Sequence, residues 1–292
     1  MKMIIGLRNS IDLAKKMAKK KKIAFSLLET RNFPDGESYL RFATPVKGNT
    51  VYLVQSLHPD PNNSLIELVF AARGARAQGA KRIVGVVPYL AYMRQDKRFK
   101  DGEVISSRHM ALLLERSLDE LITVDPHLHR YNSLSELFSI PAKKLSAVEE
   151  VAKYIDKKFP KNTVIIGPDE ESFQWALVVA TLIKHKAVIF TKRRSSSRKV
   201  NIKIKEGFDW KGKEIVIIDD IISTGHTMVE TVKELKRRKV KAVHCICVHG
   251  ILAEGALKKL KKAGAKSVVS CNTIPSPTNK IDLSGLIAKE LR

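Results

Sequence analysis

The run Ile215-Val-Ile-Ile-Asp-Asp-Ile-Ile-Ser-Thr-Gly-His-Thr-Met228 constrains the fold more than any other stretch, because it reads as strand, acidic turn and helix start in one pass. Four consecutive β-branched residues, Ile215 to Ile218, predict a strand buried on both faces, as in a parallel sheet. Two carboxylates then follow, Asp219 and Asp220, and acids at the carboxyl end of such a strand face a ligand crevice. Met228, Val229, Val232 and Leu235 recur at helical spacing, which sets Ser223, Thr224, Gly225, His226 and Thr227 at a helix N-terminus. Free N–H groups and the positive end of the helix dipole favour a phosphate there. Paired carboxylates accept hydrogen bonds from vicinal hydroxyls, and a phosphorylated pentose needs both features. The competing reading is a plain βα turn in which Asp220 or Ser223 only caps the helix.

The same alternation runs through the chain. Met3 to Leu7 and Lys22 to Leu28 read as strands around a lysine-rich helix capped by Asn9 or Ser10. Thr50 to Gln55, a helix capped by Asn63 or Ser64 and ending near Ala77, and Arg82 to Pro88 make a βαβ unit. A helix from Ser106 to Arg116 and a strand from Leu121 to Val124 continue it. After a pause around Ile140 to Leu145 come the helix Val148 to Phe159, the strand Thr163 to Ile166, the helix Phe173 to Ile183 and the strand Ala187 to Phe190. A polar loop, Thr191 to Lys199, leads to strands at Val200 to Ile204 and Glu214 to Ile218, a helix after Gly225, the strand Ala242 to Val248 and an αβα tail. Strands alternating with helices imply an α/β fold with mostly parallel sheets flanked by helices. A length of 292 residues suits two domains, here expected as 1–142 and 143–292. Val51 to Val87 has the outline of Val216 to Val248, with Gln55-Ser56 where the second half has Asp219-Asp220, so we expect a duplication that keeps the sugar-phosphate site only in the C-terminal half.

Composition narrows the partners. Lys+Arg 53 against Asp+Glu 30 gives a formal net charge of +23, which suits anionic ligands, although solvated lysine-rich helix faces account for most of that excess. Apolar runs such as Ile83 to Met93 and Trp175 to Ile183 are too short to span a bilayer. With no signal peptide at the N-terminus, a cytoplasmic protein with no membrane partner is expected. Three cysteines give no disulfide framework. Cys245 and Cys247 beside His244 and His249 form no complete ligand set and read as a core strand. Gly207 to Glu214 nearly matches a phosphate-binding P-loop, but Glu214 replaces the metal-binding hydroxyl and the strand follows the glycines instead of preceding them. No helix-turn-helix, zinc-finger or RNA-binding aromatic signature is present, so no nucleic acid partner is expected.

Further constellations sit at other predicted strand ends. Arg94, Gln95, Lys97 and Arg98 follow the strand ending near Pro88, and a planar guanidinium there suits a polyphosphate. Asn32-Phe-Pro-Asp-Gly-Glu37 is a turn-rich loop. Asp125-Pro-His127-Leu-His129 offers two histidines, Gly167-Pro-Asp169-Glu-Glu171 an acid, and Phe190-Thr-Lys-Arg-Arg-Ser-Ser-Ser-Arg198 a basic, serine-rich run. Each has a plain counterpart as a solvated loop or helix cap.

Taken in order, these segments resemble a known family. The Asp219 to Thr227 segment resembles the phosphoribosyl-pyrophosphate motif shared by type I phosphoribosyltransferases and ribose-phosphate pyrophosphokinases. The Arg94-Gln-Asp-Lys97 stretch is similar to the ATP-binding segment of the pyrophosphokinases alone. The resemblance implies two phosphoribosyltransferase-like domains, a homo-oligomer with shared active sites, and transfer of the β,γ-diphosphoryl group of ATP to C1 of ribose 5-phosphate with the aid of Mg2+. It implies ATP binding by Phe33 through ring stacking, by Asp35, Gly36 and Glu37 through polar contacts to adenine, and by Arg94 and Gln95. Ribose 5-phosphate would be bound by Arg194, Asp219, Asp220, Ser223, Thr224, Gly225, His226 and Thr227. His127 and Asp169 would serve the magnesium-bound triphosphate, and Lys192 and Arg194 the chemistry. The chain departs from the family pattern at Glu170-Glu171-Ser172 and at His226, where small residues are usual. A phosphoribosyltransferase, or a non-catalytic regulator of nucleic acid that keeps the sugar-phosphate site, are the competing functions; the first has no need of Arg94-Gln95 or the Phe33 loop.

Overall fold

The computed structural model describes residues 1–128, 130–194, 200–204 and 208–292, with the backbone alone for residue 171 and for 189–194 and 200–204. The chain divides into two compact units: residues 1–146 with 273–275 and 283–292, and residues 147–272 with 276–282.

The first unit is built from β1 (Lys2–Gly6), α1 (Ile11–Lys21), β2 (Ala24–Asn32), β3 (Ser38–Phe42), β4 (Thr50–Val54), α2 (Pro61–Ala77), β5 (Arg82–Val87), α3 (Ser106–Glu115), β6 (Glu120–Val124) and β7 (Ala142–Leu145). Its seven strands lie in the order β3-β2-β1-β4-β5-β6-β7. All neighbours are parallel except β2 and β3, which form a hairpin. Val51, Leu53, Ile83, Val86 and Leu121 are fully buried, as the unbroken apolar strands require when both sheet faces are covered. The second unit holds α4 (Val148–Lys158), β8 (Val164–Gly167), α5 (Glu170–Ile183), β9 (Lys186–Arg194), β10 (Val200–Ile204), β11 (Glu214–Ile222), α6 (His226–Arg237), β12 (Ala242–Gly250), α7 (Ala256–Lys262), β13 (Ser267–Cys271) and β14 (Asn279–Ile281). Its order is β10-β9-β8-β11-β12-β13-β14, the arrangement of the first sheet with each strand number advanced by seven.

In both sheets the direction of winding reverses beside the first strand of the unit, between β1 and β4 and between β8 and β11. An open parallel sheet forms its ligand crevice at that point, outside the carboxyl ends of the strands. The loops after β8 and β11 therefore converge in the second unit, and those after β1 and β4 in the first. All nine residues of β12 are buried, including Cys245 and Cys247, and burial pushes the Cys245 thiol up to about 12.

Several local expectations change in the structure. The pause near 140 contains β7, which pairs with β6, so the units divide after residue 146 and not at 142/143. The last helix, α8 (Ser284–Lys289), returns to the first unit, where Lys143 pairs with Glu290 and the Tyr52 hydroxyl donates to the Arg292 carbonyl. The Asp60 side chain caps α2 by accepting from Asn63 N at 3.2 Å, displacing Asn63 and Ser64 from that role. Ser10 precedes α1, yet its Oγ accepts from Ser56 N at 2.8 Å and does not cap the helix. The expected loop after Phe190 is strand as far as Arg194, because β9 pairs antiparallel with β10, Lys192 opposite Ile202 and Arg194 opposite Val200. Its remainder, 195–199, lies outside the described residues, as does His129.

One glycine fixes the start of α5. A Cβ on Gly167 would lie 2.3 Å from Phe173 N and 2.4 Å from Phe173 Cα, so the helix begins against bare backbone. Gly167→Ala is expected to cost about 3 kcal/mol by forcing that helix turn aside. Denaturant unfolding of the variant checks this, and a loss below about 0.5 kcal/mol would contradict it.

Candidate active site

The second unit's crevice is formed by the loops that follow β8 and β11. Gly167 ends β8, and Asp169 caps α5 by accepting from Ser172 N at 2.9 Å. That tight turn carries the Ser172 hydroxyl to the neighbouring strand, where it donates to Asp219 Oδ1 at 2.8 Å. The same oxygen accepts from Asp220 N at 3.0 Å. β11 continues to Ile222, so both acids lie within the strand, with Asp219 opposite Cys247 of β12. Desolvation raises the Asp219 pKa well above the ordinary carboxylate value, and the negative charges of Asp220 and Asp169 push it the same way. The Ser172 hydrogen bond opposes these effects without cancelling them.

Ser223 and Thr224 form the turn, and Gly225, at φ +72°, is the N-cap of α6. The N-cap residue, a glycine, has no side chain with which to cap the helix, and the positive end of the α6 dipole lies just after the two acids in the chain. His226 is exposed at the first helical position, and the Thr227 carbonyl accepts from Thr231 Oγ1 at 2.9 Å. Leu252 N donates to Ile222 O at 2.9 Å, and Ala256 Cβ would stand 3.2 Å from a Cβ on Gly225, so the turn before α7 supports this loop from behind. The crevice thus offers carboxylates for hydroxyls and a helix end for an anion. Lys192 and Arg194 stand at alternate positions of β9 with Arg193 between them, and their side chains lie outside the description.

The other sequence-derived residues belong to the first unit. Phe33 is at the exposed tip of the β2–β3 hairpin, closed by Phe33 N to Glu37 O at 2.8 Å and by Asp35 Oδ1 accepting from Glu37 N at 3.1 Å. Gly36 has φ +96° with open space around it. The Arg31 guanidinium lies 5.2 Å from the Phe33 ring centre and 4.4 Å from that of Tyr39. Arg94 is exposed beyond β5, and Gln95 Oε1 accepts from Ser106 Oγ at 3.0 Å. His127 is half-buried beyond β6. The structure therefore gathers Asp169, Asp219, Asp220 and Ser223 to Thr227 at the carboxyl ends of two adjacent central strands, and Arg94, Gln95 and His127 on two neighbouring loops of the other sheet. Ser172 and Asp96 escaped the sequence reading, and for Ser172 the missing signal was that a glycine-ended strand starts its helix early enough to reach the next strand.

The comparisons with known proteins bear on this arrangement. The profile of the N-terminal domain of ribose phosphate pyrophosphokinase matches residues 2–117, and that of the phosphoribosyl transferase domain matches residues 133–284. The ribose-phosphate pyrophosphokinase of Methanobrevibacter smithii is 36% identical over 301 residues, covering 99% of this chain and 100% of the relative. The chain belongs to the ribose-phosphate pyrophosphokinase family. The enzyme of that name from Methanopyrus kandleri is 33% identical over 287 residues, covering 98% of this chain and 97% of the relative. Phosphoribosylpyrophosphate synthetase from Mycobacterium smegmatis has a similar solved structure, with a TM-score of 0.85, 28% identity and coverage of 99% of this chain and 96% of that one. Family membership extends over both units, so the first is a working part of the enzyme type and not an appendage to a lone phosphoribosyltransferase domain.

The perturbed acid yields a prediction. A raised folded-state pKa means that ionised Asp219 opposes folding, so this residue's contribution is most favourable below about pH 4 and is lost as pH rises towards the folded pKa. In ligand-free protein, Asp219→Asn is expected to raise Tm at pH 7 to 8, with the difference vanishing near pH 4. A variant less stable than the parent at pH 8 would contradict this.

Proposed function

We propose that this enzyme makes 5-phosphoribosyl 1-pyrophosphate and AMP from ATP and ribose 5-phosphate. The observation that carries the reading is the pairing, at the carboxyl end of β11, of a carboxylate crowded by two others with a helix that starts at a glycine N-cap. Vicinal hydroxyls of the ribose donate to Asp219 and Asp220, and the 5-phosphate takes the N–H groups around Ser223 to Thr227. This leaves the C1 hydroxyl as nucleophile. Its oxygen bonds to the β-phosphorus of ATP while the bond from that phosphorus to the oxygen bridging it to the α-phosphorus breaks; the hydroxyl proton passes to solvent, AMP leaves with the bridging oxygen, and the β,γ-diphosphoryl group moves intact.

Negative charge grows on non-bridging and leaving oxygens, so positioning and fixed cations supply most of the catalysis. We assign that task to Lys192 and Arg194, whose alternate positions on β9 suit joint action. Arg94 and Gln95 hold the polyphosphate, and Phe33, Asp35, Gly36 and Glu37 the adenine. The exposure of that hairpin tip suits service to a neighbouring subunit's site in a homo-oligomer. Mg2+ takes oxygen donors, keeps its waters and leans on substrate phosphates. The oxygen donors and mutual repulsion of Asp169, Asp219 and Asp220 fit such a cation, and we assign Asp169 and His127 to its phosphate complex. When bound, magnesium neutralises the polyphosphate. No helix among the described residues is long and apolar enough to cross a membrane, and we place the enzyme in the cytoplasm, where its substrates are.

Incubation with ATP, ribose 5-phosphate and Mg2+ should release AMP in step with ribose 5-phosphate consumption; no turnover would overturn the reading. Lys192→Ala and Arg194→Ala should each lower kcat a hundredfold or more, about 3 kcal/mol of transition-state stabilisation, with Arg193→Ala milder. Equal small losses at all three would reduce the strand to a diffuse electrostatic attractant. Mixing inactive Phe33→Ala with inactive Asp220→Asn protein should restore activity through hybrid sites, and no recovery after confirmed subunit exchange would exclude the shared site.

A further inference from the structure

Two irregular loops of the first unit carry the groups assigned to the nucleotide: the segment after β5, with Arg94 and Gln95, and the segment after β6, with His127. Strand pairing ends at Val87 and Val124, so beyond those points the two loops are held in register by side chains. Asp96 supplies the cross-link. Its side chain is 1% exposed, and its Oδ1 accepts from Arg130 Nη1 at 2.6 Å. Tyr131 OH donates to the Asp96 carbonyl at 3.4 Å and lies 3.5 Å from Ser107 Oγ at the start of α3. The Gln95 carbonyl accepts from Ser107 N at 3.3 Å, so α3, the Arg94 loop and the His127 loop meet around one buried carboxylate. The Arg130 guanidinium also lies 5.3 Å from the Phe99 ring centre, sharing that ring with Lys97 Nζ at 5.3 Å.

We propose that Asp96 and Arg130 form a positioning latch that sets Arg94 and Gln95 against His127 for the nucleotide polyphosphate. The inference rests on the nucleotide assignment above and adds two residues that do not themselves touch substrate. A buried ion pair is weak evidence for stability, since desolvation offsets its attraction. This one is also lopsided: Asp96 Oδ2 is buried with no hydrogen-bond partner among the described residues, and Arg130 is 42% exposed. An apolar pair would stabilise the unit equally well, whereas a single short ionic link between two loops fixes their spacing and orientation. Small displacements of positioning groups have large kinetic consequences.

Steady-state kinetics on the full-length enzyme separate positioning from folding. Arg130→Gln should raise KM for ATP by roughly tenfold or more, with KM for ribose 5-phosphate unchanged and kcat at saturating ATP within about threefold of the parent. Arg130→Lys, which keeps a cation in reach of Asp96, should recover most of the loss. The double variant Asp96→Asn with Arg130→Gln removes the unpaired buried charge, so its Tm should return towards that of the parent while KM for ATP stays high. A double variant with parental KM for ATP would overturn the latch by showing that the pair only stabilises. So would an Arg130→Gln enzyme whose two KM values rise together, or one kinetically equal to an active parent. A parent that forms no AMP from ATP would instead overturn the proposed function, and the latch with it.

Discussion

A carboxylate pressed against two others is unstable on its own, and the second unit is arranged to keep it there. Desolvation and the charges of Asp220 and Asp169 hold Asp219 towards its neutral form, opposed by a hydrogen bond from Ser172 Oγ. That hydrogen bond exists because α5 starts against the bare backbone of Gly167, which allows Ser172 to reach across to the next strand. Ligand hydroxyls and a divalent cation would each relieve the repulsion, so binding and the cost of the empty site are two sides of one interaction. The site is stabilised from the rest of the unit: β12 beside it is buried along its whole length, and the turn before α7 fixes the loop behind Gly225.

The two sheets share one strand order, yet their switch points have different fates. In the first unit Gln55 stands where the second has Asp219. Its Oε1 accepts from Asn9 N at 3.1 Å, and its Nε2 donates to Glu67 Oε2 at 3.2 Å. Glu67, nearly inaccessible, pairs with Arg8 at 2.6 Å, and burial raises its pKa despite that cation. The following helix is capped by its own Asp60. Gln55 is thus engaged by Asn9 and Glu67, and the Asp60 carboxylate caps the helix end that in the second unit starts at a glycine.

The apolar strands were legible in the sequence because burial on both faces leaves an unbroken β-branched run, as at Ile215 to Ile218. The acid pair and the glycine-bearing helix start were legible for the same reason: they interrupt such a run. Interactions between segments distant in sequence were not. Nothing local in Phe190 to Arg194 distinguishes a basic loop from a strand; its pairing with β10 decides that. Ser10 has the composition of a cap but answers to Ser56, 46 residues away. Asp96 looked like one more charge in a basic run until its partner across 34 residues was in view, and the return of α8 to the first unit depends on contacts with β4 and β7 residues that no periodicity encodes.

On the proposed reading, one of two topologically equal crevices binds the sugar phosphate. Calorimetric titration of the full-length protein with ribose 5-phosphate in the presence of Mg2+ counts the sites directly. One site per chain is expected, abolished by Asp220→Asn and retained when Gln55 is replaced by Glu. Two equivalent sites per chain, or one that survives Asp220→Asn, would contradict it.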